Sequence, residues 1–223
     1  MAATPRSTKG ASPSTGSPPD DVVLLAALDA FAAHGFAGMS VRELGRQLGV
    51  THNSIPQRFG SKERLWYAAV DHGFGRLAVD LREVLDPTSG PLADAPPVDR
   101  LRAAIVRFVE ANASRPALLR IISQEAVHGG ERFDHLFSRY IEPVQQFGDT
   151  VLTELHGDGS VRTDSTGLVY FLMTNGAGGP FTFPGLAARL GIAVDPHDPA
   201  AVRAYAEHAV GVLFDGLRGA APP

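Results

Sequence analysis

The sequence predicts an all-α protein, and two observations carry this prediction. Apolar residues recur at intervals of three and four along most of the 223-residue chain, as one face of a helix requires. No segment between turn signals alternates apolar and polar residues, which is the pattern of a half-buried strand. We therefore expect about nine helices, no sheet and no internal repeat.

Start and stop signals give the bounds of these helices. Gly35 follows the first amphipathic stripe, as a helix end does. Ser40 and Glu43 have the spacing of a capping box, which begins the second helix. Pro143 interrupts the seventh helix and is expected to kink it. The predicted helices are residues 21–34, 40–49, 54–59, 62–85, 98–113, 117–128, 131–156, 164–175 and 199–218. The proline- and glycine-rich residues 86–97 are expected to be a loop, and a segment that contains three glycines and two prolines between residues 176 and 184 separates the last two helices.

Composition excludes several classes of protein. The chain contains no cysteine, which rules out a disulfide scaffold, a thiolate metal site and a cysteine nucleophile. The longest apolar runs, such as residues 168–173, are much shorter than the roughly 18 residues that a membrane-spanning helix needs. No apolar stretch follows Arg6 and Lys9, so a secretory signal is not expected either. These features predict a cytoplasmic protein without a membrane partner.

Charge is divided unevenly along the chain. Residues 1–19 have the composition of a disordered arm and carry two cations and no acid. Residues 40–65 carry five cations and two acids, a net charge of +3. Since the whole chain has a net charge of −4, the remaining residues carry −9. The amino-terminal part can therefore attract phosphate although the whole chain is acidic.

The second and third helices have the layout of a helix-turn-helix, in which the second short helix enters the major groove of DNA. The exposed face of residues 51–58 is polar. Amides match adenine, arginine matches guanine or phosphate, and hydroxyls suit phosphate. Lys62 begins the fourth helix, where a cation is well placed only if an anion binds nearby. The predicted DNA contacts are Ser40, Arg42, Thr51, His52, Asn53, Ser54, Gln57, Arg58 and Lys62.

The basic arm is a further candidate for DNA contact. Basic extensions of other helix-turn-helix proteins lie in the minor groove, and Arg6 and Lys9 could do the same. A tail that does not touch DNA is the alternative.

The amino-terminal region resembles the TetR family of transcriptional regulators. The resemblance covers about a quarter of the chain and is carried by the runs ALDAF (27–31), GF (35–36), SVREL (40–44), LGVT (48–51) and RFGSKERL (58–65). It implies a homodimeric DNA-binding regulator, usually a repressor, whose carboxy-terminal helices hold a small ligand that releases DNA. The expected domains are the arm at 1–19, a helix-turn-helix domain at 20–66 with its motif at 40–59, and a regulatory domain at 67–223.

Pro56 departs from the family pattern, which usually has an aromatic residue there. A proline would strain a helix already under way at His52 by about 3 kcal/mol. A helix that begins later, with Ser54 as its cap, would instead hold Pro56 in its first turn, where proline is tolerated. We expect this late start, which shifts base reading toward Gln57 and Arg58.

The last two predicted helices are apolar on more than one face. One face can pack on the chain's own core, and a second subunit best explains the other. A two-fold dimer would place its recognition helices about one DNA turn apart and bind an inverted-repeat operator. The predicted dimer contacts are Phe171, Val202, Ala206, Val210, Leu213 and Leu217.

Aromatic residues are frequent in the second domain and predict an apolar ligand pocket between helices. Ordinary core packing is the alternative for most of them. The predicted ligand contacts are Phe108, His128, Tyr140, Phe147, Tyr170, Met173 and Asn175. The fourth helix joins the two domains and contains Gly73 and Gly75. These glycines indicate either a hinge in this helix or a site of close helix packing.

Other function classes stay open beside a ligand-responsive repressor. Glu125 and His128 are spaced for one helical face, as in di-iron bundles, but a second such pair is missing. A single metal held by His128 with Asp134 or His135 is the remaining metal hypothesis, and no cofactor is expected. Residues 176–179 lack the preceding strand of a phosphate loop. An enzyme in the second domain and a helical interaction module that has lost DNA binding are the two alternatives.

Overall fold

The predicted all-α fold is confirmed. The computed structural model describes residues 18–51, 53–85, 92 and 94–217, and every regular element in these ranges is helical. Three of the predicted DNA contacts, Arg6, Lys9 and His52, lie outside the described residues, and so does the side chain of Leu217.

The amino-terminal helices follow the predicted signals closely. Gly35 has a φ of 68° and breaks the regular conformation of the first helix, which continues for a few residues beyond it. The Ser40 hydroxyl caps the second helix by accepting the Glu43 amide at 3.3 Å. Only this half of the predicted capping box forms, because Arg46 and Gln47 donate to the Glu43 carboxylate instead. The helices are α1 (Asp20–Gly38), α2 (Val41–Gln47), α3 (Ser54–Phe59) and α4 (Lys62–Leu85).

The carboxy-terminal helices are more numerous than predicted. A π-helical turn at Phe137–Ile141 divides the predicted seventh helix directly before Pro143. A second π-helical turn, Leu172–Ala177, follows α9. The segment between the last two predicted helices contains two further short helices, because Pro180 and Pro184 each lie in a first turn, where proline is tolerated. The helices are α5 (Pro97–Ser114), α6 (Ala117–His128), α7 (Glu131–Leu136), α8 (Glu142–Gly157), α9 (Thr166–Phe171), α10 (Gly179–Thr182), α11 (Pro184–Arg189) and α12 (Pro199–Leu217).

Two hydrophobic clusters hold these helices together. The first contains Phe31 and Trp66 of the amino-terminal helices, and also Leu118 and Ile121 of α6 and Leu136 of α7. The second lies between α5, α8, α9 and α12. The amino-terminal helices therefore share one core with α6 and α7.

Helix α1 is the one described helix that is long and apolar enough to cross a membrane by length and composition alone. Its residues Val23, Ala27, Leu28 and Phe31 are buried in the first cluster. The packing of this stripe accounts for the apolar composition of the helix.

Gly73 lies where α4 crosses α1 and α6. A Cβ atom at this position would lie 2.7 Å from Leu28 Cδ2 and 3.0 Å from Leu118 Cδ2, and both leucines are buried. A Cβ atom at Gly75 would meet nothing within 4 Å. Close packing thus explains Gly73, while nothing in the structure explains Gly75.

The two glycines should respond in opposite ways to alanine. We expect Gly73→Ala to lower the free energy of unfolding by about 1–3 kcal/mol, because the surrounding core is already filled. Gly75→Ala should raise it by up to about 1 kcal/mol through higher helix propensity. Urea unfolding of both variants measures this difference. Equal effects of the two substitutions would contradict the packing argument.

Candidate functional site

The helix-turn-helix motif is held by its buried apolar residues. Ile55 is fully buried against α2, and the Val50 amide donates to the Gly45 carbonyl oxygen at 3.0 Å in the turn. Helix α3 begins at Ser54, so the late start predicted from Pro56 is confirmed. The cap is Asn53 rather than Ser54, since the Asn53 carbonyl oxygen accepts the first helical bond, from the Gln57 amide at 2.9 Å.

The outer surface of the motif is polar. Ser40 and Arg42 are exposed at the start of α2, and Thr51, Asn53 and Gln57 are exposed in the turn and on α3. The Ser54 side chain is half-buried in the same region. These predicted DNA contacts of α2, the turn and α3 are all exposed or half-buried. We call them the motif surface: Ser40, Arg42, Thr51, Asn53, Ser54 and Gln57.

Arg58 makes contacts that sequence analysis missed. Its Nε donates to Asp20 Oδ1 at 2.8 Å, and its NH1 donates to the Pro18 carbonyl oxygen at 2.8 Å. Its guanidinium carbon also lies 5.4 Å from the centre of the Phe59 ring. Asp20 precedes Arg58 by 38 residues, so no local sequence signal indicates this ion pair. The contact also places the residue from which the amino-terminal arm extends, Pro18, beside α3.

The other cations of the motif differ in how far they are already paired. Lys62 Nζ donates to the Ala37 carbonyl oxygen at 3.1 Å and lies 5.0 Å from the Phe36 ring centre. The Arg46 guanidinium binds Glu43 and thereby holds the pKa of that carboxyl below its usual range. Arg42 is exposed and makes no ion pair within the described part of the chain. It is therefore the motif cation most available to an external anion.

A cavity of about 420 Å³ lies between α6, α7, α8 and α9. None of its lining residues carries a charge, and its polar groups are hydroxyls and amides. Tyr170 and Asn175 were predicted, whereas the aromatic residues Phe133 and Phe137 were not assigned to the ligand. Their spacing of four along a helix is the signal that could have identified them. The lining residues are Leu119, Ile122, Ser123, Ala126, Val127, Phe133, Phe137, Ile141, Gln145, Gly167, Tyr170, Phe171, Thr174, Asn175 and Thr182.

Two smaller cavities, of about 50 and 70 Å³, adjoin the large one. Tyr140 lines the smaller of them, Phe147 and Met173 line the other, and Phe108 lines both. Tyr170 borders all three cavities. Burial raises the pKa of Tyr170 to about 12, so its hydroxyl keeps its proton at neutral pH.

His128 does not belong to these cavities. It is exposed at the end of α6, where its Nδ1 lies 2.8 Å from the Gln124 carbonyl oxygen, so we withdraw it from the ligand contacts. Glu125 is buried and accepts a hydrogen bond from Arg132 Nε at 3.0 Å. Within the described ranges, no three histidine or acidic side chains cluster closely enough to hold a metal ion.

The stripe of α12 predicted for the dimer faces inward. Val202, Ala206 and Val210 are buried in the second cluster of the same chain, so they cannot contact a partner. Leu213 is partly buried against that cluster. Periodicity identifies a stripe but not its direction, which depends on how α12 packs on α5. The exposed apolar side chains are instead Leu168, Phe171 and Leu172 after the start of α9 and Val212 on α12.

Helix α7 and its π-helical turn have two functional faces. Phe133, Phe137 and Ile141 line the large cavity. Other residues of the same segment contact the amino-terminal helices: the guanidinium carbon of Arg132 lies 4.0 Å from the Phe36 ring centre.

Asp71 of α4 receives three further contacts from this segment, one of them from Arg139 Nε, which lies 3.7 Å from Asp71 Oδ1. Tyr140 donates to Asp71 Oδ1 at 2.6 Å, and His135 Nε2 lies 2.7 Å from the same oxygen. Burial and the hydrogen bond to Asp71 both raise the pKa of Tyr140. One short segment thus joins the cavity wall to α1 and α4.

Comparisons with known proteins agree with this arrangement. The model of the family described as bacterial regulatory proteins, tetR family, matches residues 23–69. A search of curated protein sequences found no match. The fold is similar to that of the ketosteroid transcriptional regulator KstR2 of Mycobacterium tuberculosis, with a TM-score of 0.69 and 20% identity over 89% of this chain and 94% of that chain.

Two further structures show the same similarity. The fatty acid degradation regulator FadR from Bacillus halodurans has a TM-score of 0.61 and 16% identity, over 89% of this chain and 99% of that one. A bacterial regulatory protein in the tetR family from Rhodococcus RHA1 has a TM-score of 0.63 and 17% identity, over 92% of this chain and 100% of that one. Residues 23–69 thus match the tetR family of bacterial regulatory proteins, and the chain as a whole has the fold of these solved structures.

Proposed function

We propose that this protein is a cytoplasmic, ligand-responsive transcriptional repressor. It binds an inverted-repeat operator in double-stranded DNA as a homodimer and is released by a small, largely apolar effector. One observation carries the proposal. Residues 131–141 line an uncharged cavity and also contact the amino-terminal helices that carry the exposed polar helix-turn-helix.

The motif surface supports the DNA-binding part. Gln57 is exposed on α3, where its amide can pair with the edge of adenine. Arg58 can contribute to DNA binding if its contact with Asp20 is replaced by a contact with DNA. The hydroxyl groups, together with Arg42 and Lys62, suit phosphate. The position of Pro18 beside α3 supports a contact between DNA and the arm residues Arg6 and Lys9.

Arg42→Ala tests the phosphate contact. We expect the variant to bind an operator fragment, selected from genomic DNA by the purified protein, about three- to tenfold more weakly. The slope of log affinity against log salt should fall by about 1, as the loss of one phosphate contact predicts. Fluorescence anisotropy over a salt series measures both quantities. Arg162→Ala, which removes an exposed arginine of the other domain, should change neither. Equal behaviour of the two variants would refute the assignment of Arg42.

Exposed apolar residues support the homodimer. Phe171 is 67% exposed and Val212 is 64% exposed. The π-helical turn that follows α9 lies beside α12, since the Tyr205 hydroxyl donates to the Ala177 carbonyl oxygen at 3.1 Å. A patch of exposed large apolar side chains on neighbouring elements is typical of an interface between subunits. We therefore move the dimer contact from the buried stripe of α12 to these residues.

Val212→Asp should weaken the dimer, because the partner would have to bury a charge. We expect the dissociation constant measured by analytical ultracentrifugation to rise at least tenfold, and operator binding to weaken with it. Val79→Asp, a matched substitution at a valine that is 53% exposed on α4, should leave the dimer intact. A Val212→Asp variant that remains as dimeric as the control would show that this face is not the interface.

The cavity supports a largely apolar effector. Its wall is aromatic and aliphatic with a few neutral polar groups, so a charged group inside it would lack a counter-charge. Of the proteins with a similar fold, one is described as a ketosteroid transcriptional regulator and another as a fatty acid degradation regulator. Ketosteroids and fatty acids are both mostly hydrocarbon. Phe133 and Phe137 would be displaced by an effector that fills the cavity, and the same segment would then move Asp71 and α4.

Tyr140→Phe tests this connection, because it removes the hydroxyl that binds Asp71 and keeps the ring. We expect the free energy of unfolding to fall by about 1–3 kcal/mol. Operator affinity should fall about three- to tenfold although Tyr140 belongs to the other domain, since α4 loses a contact that fixes its position. Tyr205→Phe also removes one tyrosine hydrogen bond but should leave operator affinity unchanged. The connection fails if both variants bind DNA as well as the unaltered protein.

A further inference from the structure

The smallest of the three cavities is the one that touches α4. It has a volume of about 50 Å³ and is bordered by Phe74 and Leu77 of that helix. It shares Leu119, Ile122 and Ile141 with the large cavity. A molecule held in the large cavity therefore needs to pass these side chains and Tyr170, which also borders both cavities, to reach α4.

Asn112 borders the small cavity and holds an unused hydrogen-bond acceptor. The residue is completely buried, and its Nδ2 donates to the Phe108 carbonyl oxygen at 2.7 Å. This bond fixes the orientation of the amide, since a flipped amide would set two oxygens against each other. Its Oδ1 is buried and has no hydrogen-bond partner within the described part of the chain. A buried acceptor without a partner is unfavourable, so a donor supplied by a ligand would strengthen the binding of that ligand.

The surroundings restrict what this partner can be. The Tyr140 hydroxyl already donates to Asp71, and the neighbouring side chains Phe74, Leu77 and Leu118 are apolar. A cavity of this size has room for one small polar group. An ammonium group would meet no counter-charge among the lining residues, whereas a neutral hydroxyl can donate one hydrogen bond at no such cost.

We propose that the effector is an elongated, uncharged molecule that ends in a hydroxyl group, and that this hydroxyl donates to Asn112 Oδ1 in the small cavity. The inference rests on the proposed function of the large cavity as the effector site. The hydrocarbon part of the molecule lies in the large cavity, and its hydroxyl end lies against α4. Recognition of a hydroxyl by a buried acceptor discriminates strongly against analogues without the donor.

A pair of isomers distinguishes the contribution of the hydroxyl group to affinity from that of the hydrocarbon chain. 1-Decanol and 1-methoxynonane have the same composition and nearly the same length, but only the alcohol donates a hydrogen bond. We expect isothermal titration calorimetry of the full-length protein to show at least tenfold tighter binding of 1-decanol. In Asn112→Leu the preference should disappear through weaker binding of the alcohol, while the ether binds as before.

Thr166→Val is the matched control, because the Thr166 hydroxyl is also buried without a partner but borders the third cavity instead. This variant should keep the preference for the alcohol. The comparison of the two isomers on the unaltered protein decides the question even if Asn112→Leu does not fold. Equal affinity for the isomers, a preference that persists in Asn112→Leu, or no binding of either isomer would overturn the inference. Operator binding is measured on the same preparations, so DNA binding without alcohol binding would leave the regulator proposal standing and remove only this inference.

Discussion

The packing of α6 and α7 against α1 and α4 is the constraint on which the rest of the structure depends. Leu118, Ile121 and Leu136 are buried with Phe31 and Trp66 in one cluster, so the DNA-binding helices do not have a core of their own. Interiors of proteins are packed as densely as organic crystals and change between discrete arrangements rather than deform gradually. A shift of α6 or α7 therefore has to be followed by α1 and α4.

Polar contacts across the same boundary make the arrangement specific. Gln124 Nε2 of α6 donates to the Ala32 carbonyl oxygen of α1 at 2.8 Å. Arg132 binds the buried Glu125 and covers the ring of Phe36. Removing one partner from a buried ion pair is costly because the other charge is left unpaired. These polar contacts fix the relative orientation of the helices, which hydrophobic packing alone does not specify.

Local signals in the sequence predict the helices well, because caps, prolines and apolar periods act within a few residues. The start of α3 at Ser54 followed from the chemistry of Pro56 alone. Features that depend on distant residues were not predictable. The inward direction of the Val202 stripe depends on α5, and the pairing of Arg58 depends on Asp20 at the start of α1. The motif could thus be located from the sequence, whereas most of the cavity wall could not, since it combines single residues from four helices.

The pairing of Arg58 with Asp20 gives the recognition helix a competitor for anions within its own chain. If Arg58 contacts DNA as proposed, the contact would exchange one anion for another, and only the difference between the two interactions would favour binding. A phosphate at an arbitrary position offers little more than the carboxylate it replaces. A guanine edge in the right register offers two acceptors in a fixed plane, which suits an arginine better than a single carboxylate oxygen. The surface ion pair between Arg58 and Asp20 would thus weaken the binding of incorrect DNA sequences more than the binding of the correct operator.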